Sequence, residues 1–194
     1  SGSGKSTLLS IIGLLDQPSE GELKILGQNM GTASDAERTV ARREHIAFVF
    51  QAYHLIAHLN ATENIAHTLR MRGVPGRQAH QRALQALEQV GLGHRLEVLP
   101  RNMSGGEQQR VAVARALACA PRILLCDEPT GNLDTENSHK VLDLLLAGRA
   151  EKQSLVIITH DARVAAYADR EVTVRDGRIG PGATHAAAGP SNSQ

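Results

Sequence analysis

The chain opens on Ser1-Gly2-Ser3-Gly4-Lys5-Ser6-Thr7, and no other stretch restricts the fold as much. It matches the back half of the phosphate-binding loop pattern G-x-x-x-x-G-K-[ST], with Gly4 as the second glycine; the first would fall two residues before Ser1. Glycines let several backbone N–H groups turn inward on one phosphate, because no Cβ blocks the approach. In that pattern the Lys5 ammonium reaches the β- and γ-phosphates and the Ser6 hydroxyl holds a magnesium ion. Residues 6–15 then read as a helix whose N-terminal dipole favours the same anion. On their own, these residues read equally as a flexible Gly/Ser linker, so the remaining sequence has to separate the two.

A length of 194 residues suits one domain with room for a small lobe. Hydrophobic residues make up 41% but aromatics only 2%, so aliphatic side chains must build the core. A net charge of +1 gives no basic field for gripping nucleic acid, which excludes it as the expected partner. Cys119 and Cys126 sit in apolar surroundings and read as buried free thiols of a reducing compartment. No apolar run approaches the ~18–20 residues that span a bilayer, so any membrane contact would come through a partner.

Along the chain, 16–21 is a turn and 22–26 alternates like a strand ending at Gly27. Residues 34–44 form a charged helix, with Ser34 and Glu37 at capping-box spacing. Ile46-Ala47-Phe48-Val49-Phe50 suits a buried strand, with Gln51 at its end. Residues 62–72 and 78–90 read as helices with apolar stripes, part of a helical subdomain spanning about 52–118. Ser104 and Glu107 repeat the capping-box spacing, opening a helix that reaches about Ala118 before Pro121. The run 123–128 is an apolar strand ending in Asp127 and Glu128; a helix over 135–149 and a strand over 155–158, ending at Thr159-His160, follow. A short helix over 161–168 and a hairpin over 172–179 centred on Asp176-Gly177 complete a domain of residues 1–179. Residues 180–194 are Gly/Pro/Ala/Ser-rich and read as a disordered tail.

Strands alternating with helices predict an α/β fold with a mainly parallel sheet covered on both faces. Ligands of such sheets sit outside the carboxyl ends of the strands, where Gln51, Asp127, Glu128 and His160 all fall. An acid delivered there beside a phosphate loop helps hold Mg²⁺, and a second acid can orient or deprotonate an attacking water. The bland reading is a solvated turn with two surface carboxylates. Ser104-Gly105-Gly106-Glu107 is fully explained as a helix cap, yet a glycine pair just inside a helix weakens it. Its sharper reading is a second anion site at a helix N-terminus. Gln51 as a polar strand end and His160 as a local hydrogen-bonding group are weak signals singly; only their shared edge raises them.

Taken in order, residues 1–7, Gln51, Met103-Ser104-Gly105-Gly106-Glu107-Gln108, the strand ending in Asp127-Glu128, Gly131-Asn132-Leu133-Asp134 and Thr159-His160-Asp161 resemble the ATP-binding subunit of an ABC transporter. Phe48-Val49-Phe50-Gln51 and Leu59-Asn60-Ala61-Thr62-Glu63-Asn64 further resemble its lipoprotein-releasing and macrolide-exporter branch. The resemblance implies a P-loop NTPase fold lacking that family's first strands. It implies that Ser1, Gly2, Ser3, Gly4, Lys5, Ser6 and Thr7 wrap the phosphates of ATP, with Mg²⁺ held by Ser6, Gln51 and Asp127. It makes Glu128 the general base, His160 a γ-phosphate contact, and Gln51 the reporter of γ-phosphate to the membrane partner. Ser104, Gly105, Gly106 and Glu107 would bind the ATP of a second subunit, and Asp134 would link the two sites.

The chemistry supports that pairing. In-line attack on a γ-phosphoryl group needs charge neutralised from several directions, and Lys5 with Mg²⁺ covers one side only. The implied assembly is a two-fold homodimer sandwiching two ATPs and driving an integral membrane permease. It would lie on the cytoplasmic face of the inner membrane and move a lipophilic cargo. Tyr53, Leu55, Ile56 and Leu59 are the expected permease contact. The alternatives are a non-transport ATPase of the same superfamily, of translation or DNA-repair type, and a catalytically impaired binding module.

Overall fold

The computed structural model describes residues 3–180; Ser1, Gly2 and residues 181–194, which include almost all of the expected tail, lie outside the described residues. Helix α1 (Lys5–Ile12) starts from Gly4, whose φ of 88° is costly for any residue with a Cβ. It stops short of the 6–15 expected. Gly13 caps it and Leu14 turns left-handed at φ 58°. Only glycine fits at 13, because a Cβ there would lie 2.3 Å from the Phe48 ring.

The expected strand 22–26 is instead one limb of a small hairpin. β1 (Lys24–Ile25) pairs antiparallel with β2 (Gln28–Asn29) around Leu26-Gly27, with φ values of 50° and 82°. Two left-handed residues in succession give the two-residue hairpin turn. Leucine is a poor advertisement for that conformation, which is why alternation alone missed the return limb.

Helix α2 (Asp35–His45) carries the expected capping box of Ser34 and Glu37 and runs directly into β3 (Ile46–Phe50). Next come α3 (Ala61–Met71), boxed by Asn60 and Glu63, then α4 (Gly76–Gln89) and a 3-10 turn at Pro100–Asn102. Helix α5 (Gly105–Ala118) has the Ser104–Glu107 box read from its spacing. It is followed by β4 (Ile123–Asp127), α6 (Thr135–Ala147) and β5 (Ser154–Ile158). Helix α7 (Ala162–Ala165) is a single turn rather than the 161–168 expected. Strands β6 (Val174–Arg175) and β7 (Arg178–Ile179) form the hairpin predicted from Asp176-Gly177, both of which are left-handed.

The main sheet is parallel, in the order β3-β4-β5. Its residues alternate faces with the period of two that a pleated strand requires. Ala47, Val49, Leu124, Cys126, Leu155 and Ile157 pack on one side with Val113 of α5 and Val141 and Leu145 of α6. Ile46, Phe48, Leu125, Val156 and Ile158 pack on the other with Leu9 of α1 and Ala41 of α2. Both faces are covered, as strand–helix alternation predicts. A third cluster joins Ile65 and Leu69 of α3, Ala83 and Leu87 of α4, and Val111 and Ala114 of α5. Helix α5 is therefore apolar on two sides, one facing the sheet and one facing α3 and α4. Cys126 is fully buried, which pushes its thiol well above the ordinary range, whereas Cys119 is only half-buried; both are free thiols. Among the described residues, no helix is long and apolar enough to cross a membrane.

Candidate active site

The register sets the site. Phe50 pairs with Asp127, and Asp127 with Ile158. Gln51, Glu128 and Thr159-His160 therefore emerge side by side at the carboxyl edge. The Glu128 N–H donates to the Ile158 carbonyl at 2.9 Å, extending the ladder by one residue. The backbone then turns left-handed at Glu128 (φ 46°), an uncommon state for a residue with a side chain. This turn swings the Glu128 carboxylate to His160, with Oε1 2.8 Å from the ring Nδ1. The side chain of Glu128 is 18% exposed and that of His160 78%. With Nδ1 protonated the imidazole donates to the carboxylate and fixes its orientation.

Gln51 is engaged elsewhere. Its Nε2 donates to Asn132 Oδ1 at 3.0 Å, and Asn132 Nδ2 donates back to the Gln51 carbonyl at 3.2 Å. Gly131 makes room for this clasp, because a Cβ there would lie 2.9 Å from Gln51 Nε2. On the phosphate loop, Lys5 Nζ donates to Ser3 Oγ at 3.0 Å, and the Gly177 N–H of the β6–β7 turn donates to the Ser3 carbonyl at 3.0 Å. Ser6 and Thr7 are exposed on the first turn of α1, which packs on β4 and β5. A groove of about 560 Å³ runs along β5, with Lys5, Leu8, Thr159 and Tyr167 in its walls.

The start of α5 forms a second group. Ser104 Oγ accepts from the Glu107 N–H at 3.2 Å, and Glu107 Oε2 accepts from the Ser104 N–H at 2.8 Å. The Ser104 N–H holds the Glu107 carboxyl below its ordinary range, aided by an Arg95 ion pair at 2.8 Å. Gly105 and Gly106 have a reason within their own chain. A Cβ on the first would lie 2.8 Å from the Tyr53 hydroxyl, and one on the second 2.6 Å from Asn137 Oδ1. Asn137 donates from its backbone and side chain to Asp134, at 2.9 and 2.7 Å, and accepts from Arg110 Nη1 at 3.2 Å. Those bonds, the backbone N–H first, pull the Asp134 carboxyl below its ordinary range. Gln109, fully buried, donates to the Pro129 carbonyl at 2.5 Å and ties α5 to the turn after Glu128.

The structure thus gathers Gln51, Asp127, Glu128 and His160 at one edge beside the Lys5 loop. It brings the Ser104–Glu107 helix start to Asp134 at one point, where Asn137 lies against Gly106 and donates to Asp134. The sequence places Asn132 in the Gly131–Asp134 motif without a partner, and singles out neither Asn137 nor Gln109. Asn137 was findable three residues beyond a helix-capping Asp134, and Gln109 as an amide on a helix face otherwise apolar. The oxygen donors Ser6 and Asp127, with the Gln51 amide, suit a hard cation such as Mg²⁺. No cluster of three His, Cys, Asp or Glu that could cage a metal occurs among the described residues.

Comparison with known proteins agrees with this geometry. The family described as "ABC transporter" matches residues 1–131. The lipoprotein-releasing system ATP-binding protein LolD of Granulibacter bethesdensis is 47% identical over 93% of this chain and 80% of its own length. The macrolide export ATP-binding/permease protein MacB of Chlorobium luteolum is 46% identical over 92% of this chain, which spans only 27% of that longer protein. Among solved structures, the dimeric bacterial ABC transporter cassette MJ0796 superposes with a TM-score of 0.86 at 40% identity, over 95% of this chain and 82% of that one. A dimeric post-hydrolysis state of the same cassette bound to ADP and Pi gives 0.85 at 39% identity, over 94% and 81%. The phosphate loop, the paired acids at the sheet edge and the glycine-opened α5 therefore have one common explanation: this chain belongs to the ABC transporter family.

Proposed function

We propose that this chain is the ATP-hydrolysing subunit of a transporter, closing as a homodimer on two ATPs and driving a separate membrane permease that exports or releases a lipophilic cargo. The observation that carries the reading is the Glu128–His160 pair, 2.8 Å apart at the carboxyl edge of a parallel sheet and next to Asp127. Glu128 takes the proton of the attacking water, and His160 orients that carboxylate while its exposed ring faces the γ-phosphate. Lys5 draws charge from the β- and γ-phosphates, and Gly2, Gly4 and Thr7 cradle the rest of the chain of phosphates. Ser6, Gln51 and Asp127 would hold Mg²⁺, which would supply charge neutralisation for the transferred phosphoryl group. Ser104, Gly106 and their neighbouring amides close the site from a second copy, and Asp134 connects the two centres.

The names and assemblies of the relatives support the assignment to transport, since one is a lipoprotein-releasing ATP-binding protein and another joins its ATP-binding part to a permease. The subunit would then sit on the cytoplasmic face of the inner membrane. Tyr53, Leu55, Ile56 and Leu59, all half-buried beside Gln51, would meet the permease.

The test is steady-state ATP hydrolysis across a dilution series, with Glu128→Gln beside the wild type. Turnover should fall as the protein is diluted to monomer. Glu128→Gln should lose on the order of 10²–10⁴-fold in kcat while gaining a long-lived dimer with MgATP in sedimentation. Concentration-independent turnover would overturn the shared site, and nucleotide binding without hydrolysis in the wild type would leave a binding module.

A further inference from the structure

The loop after Gln51 is held by a cation. Arg115, on α5, points its guanidinium at two backbone carbonyls: Nη2 donates to Tyr53 O at 2.9 Å and Nη1 to His54 O at 2.6 Å. It forms no ion pair among the described residues, and burial lowers its pKa from the ordinary guanidinium value. Arg115 is half-buried, so part of its charge leaves water to meet neutral oxygens, a cost that marks the geometry as needed. The two carbonyls belong to residues whose backbones are both left-handed, Tyr53 at φ 60° and His54 at φ 48°. Neither is glycine, and adjacent residues in this region persist only where their surroundings hold them.

The same loop meets α5 at its other end. The Tyr53 hydroxyl occupies the space a Cβ on Gly105 would take, 2.8 Å from it. The His54 ring packs on Phe50, with centroids 4.7 Å apart. Gln51 stands between Phe50 and this clamped pair. Its side chain is exposed and its carbonyl is taken by Asn132. One rigid helix therefore grips the loop near both ends of its own length.

We propose that Arg115 is a positioning residue: it holds the strained backbone of residues 53 and 54 against α5, and so fixes where Gln51 stands relative to the paired acids and to the Ser104–Glu107 helix start. The inference rests on the reading of this chain as an ATPase that uses Gln51. Arg115 touches neither nucleotide nor metal. Its effect belongs in the rate of the bound complex, not in affinity, because the phosphate loop that binds ATP is on a different element.

The experiment compares wild type, Arg115→Met, Arg115→Lys and the double variant Arg115→Met/His54→Gly by MgATP kinetics and by hydrogen exchange of the 52–56 amides. A wild type that binds but does not hydrolyse ATP counts against the ATPase reading; the exchange data then decide the clamp alone. With hydrolysis present, Arg115→Met should lower kcat about tenfold with KM within twofold, and should raise exchange in 52–56 while α5 stays protected. Arg115→Lys should recover part of the rate, since an ammonium can still donate to one carbonyl. Glycine at 54 adopts the left-handed backbone without strain, so the double variant should recover rate over Arg115→Met. Unchanged exchange in 52–56, or a rate loss that neither Lys nor His54→Gly recovers, overturns the proposal. If Arg115→Met does not fold, Arg115→Lys is read instead: unchanged exchange in 52–56 then overturns the proposal, and raised exchange with KM preserved supports it.

Discussion

The carboxyl edge of the sheet and the start of α5 both gather polar groups, but they are built in opposite ways. At the edge, position comes from register. Phe50, Asp127 and Ile158 stand level because their strands are parallel and buried, and Gln51, Glu128 and Thr159 are simply the next residues out. At α5, position comes from polar contacts: a capping box, the Arg95 ion pair, and two glycines pressed against Tyr53 and Asn137. A register buried on both faces resists single polar changes and yields to core changes. A contact-built helix start should do the reverse.

Five substitutions sharpen or break that contrast. Leu125→Ala removes a fully buried side chain beneath the edge and should cost about 2–5 kcal/mol in urea unfolding, with catalysis falling only in step with the folded fraction. Gly106→Ala should cost about 1–3 kcal/mol, because the new methyl displaces an Asn137 amide held by Asp134 and Arg110. Adding Asn137→Ala should restore stability; lost hydrolysis at unchanged stability would instead mean the glycine is there for the nucleotide alone. Ser104→Ala deletes the cap and should cost ~1 kcal/mol, read as earlier exchange of the first α5 amides. Asn132→Ala frees Gln51 and, at an exposed site, should move stability by only about 0.5 kcal/mol while shifting the Mg²⁺ concentration for half-maximal hydrolysis; no shift would make the clasp incidental.

The smallest effect is a pH dependence. Hydrogen bonds from Arg163, side chain first, hold the Asp161 carboxyl at about 2 against an ordinary 3.8. A depressed carboxyl stabilises the fold above its ordinary value, and that contribution is lost as pH falls toward 2. The Tm difference between wild type and Asp161→Asn should therefore be constant at neutral pH and shrink below about pH 4. A difference that persists at pH 2 would mean that charge is irrelevant there.

Regularity decides how much was legible in the sequence. The edge residues were visible because each follows an apolar run, and a buried parallel strand has few other ways to end. Both capping boxes at Ser34 and Ser104 were legible from spacing alone. Leu26, Glu128, Tyr53 and His54 were not, because left-handed backbone at non-glycine residues is imposed by neighbours that sequence does not place side by side. The Gln51–Asn132 clasp joins residues 81 positions apart. The glycine pair reads as clearance for a ligand, and the structure adds contacts from Tyr53 and Asn137 that no spacing rule contains.

The parallel register has one more consequence. Adjacent strands stand about 4.8 Å apart whatever the chain does between them, so the helices inserted between β3 and β4 can lengthen, shorten or change their outward residues without moving Gln51 away from Asp127. On the reading proposed above, partner contact and chemistry are separable: Leu55, Ile56 and Leu59 could be rewritten for a different permease without moving the sheet edge, provided the three tethers from α5, at Arg115, Gln109 and Arg110, are left in place.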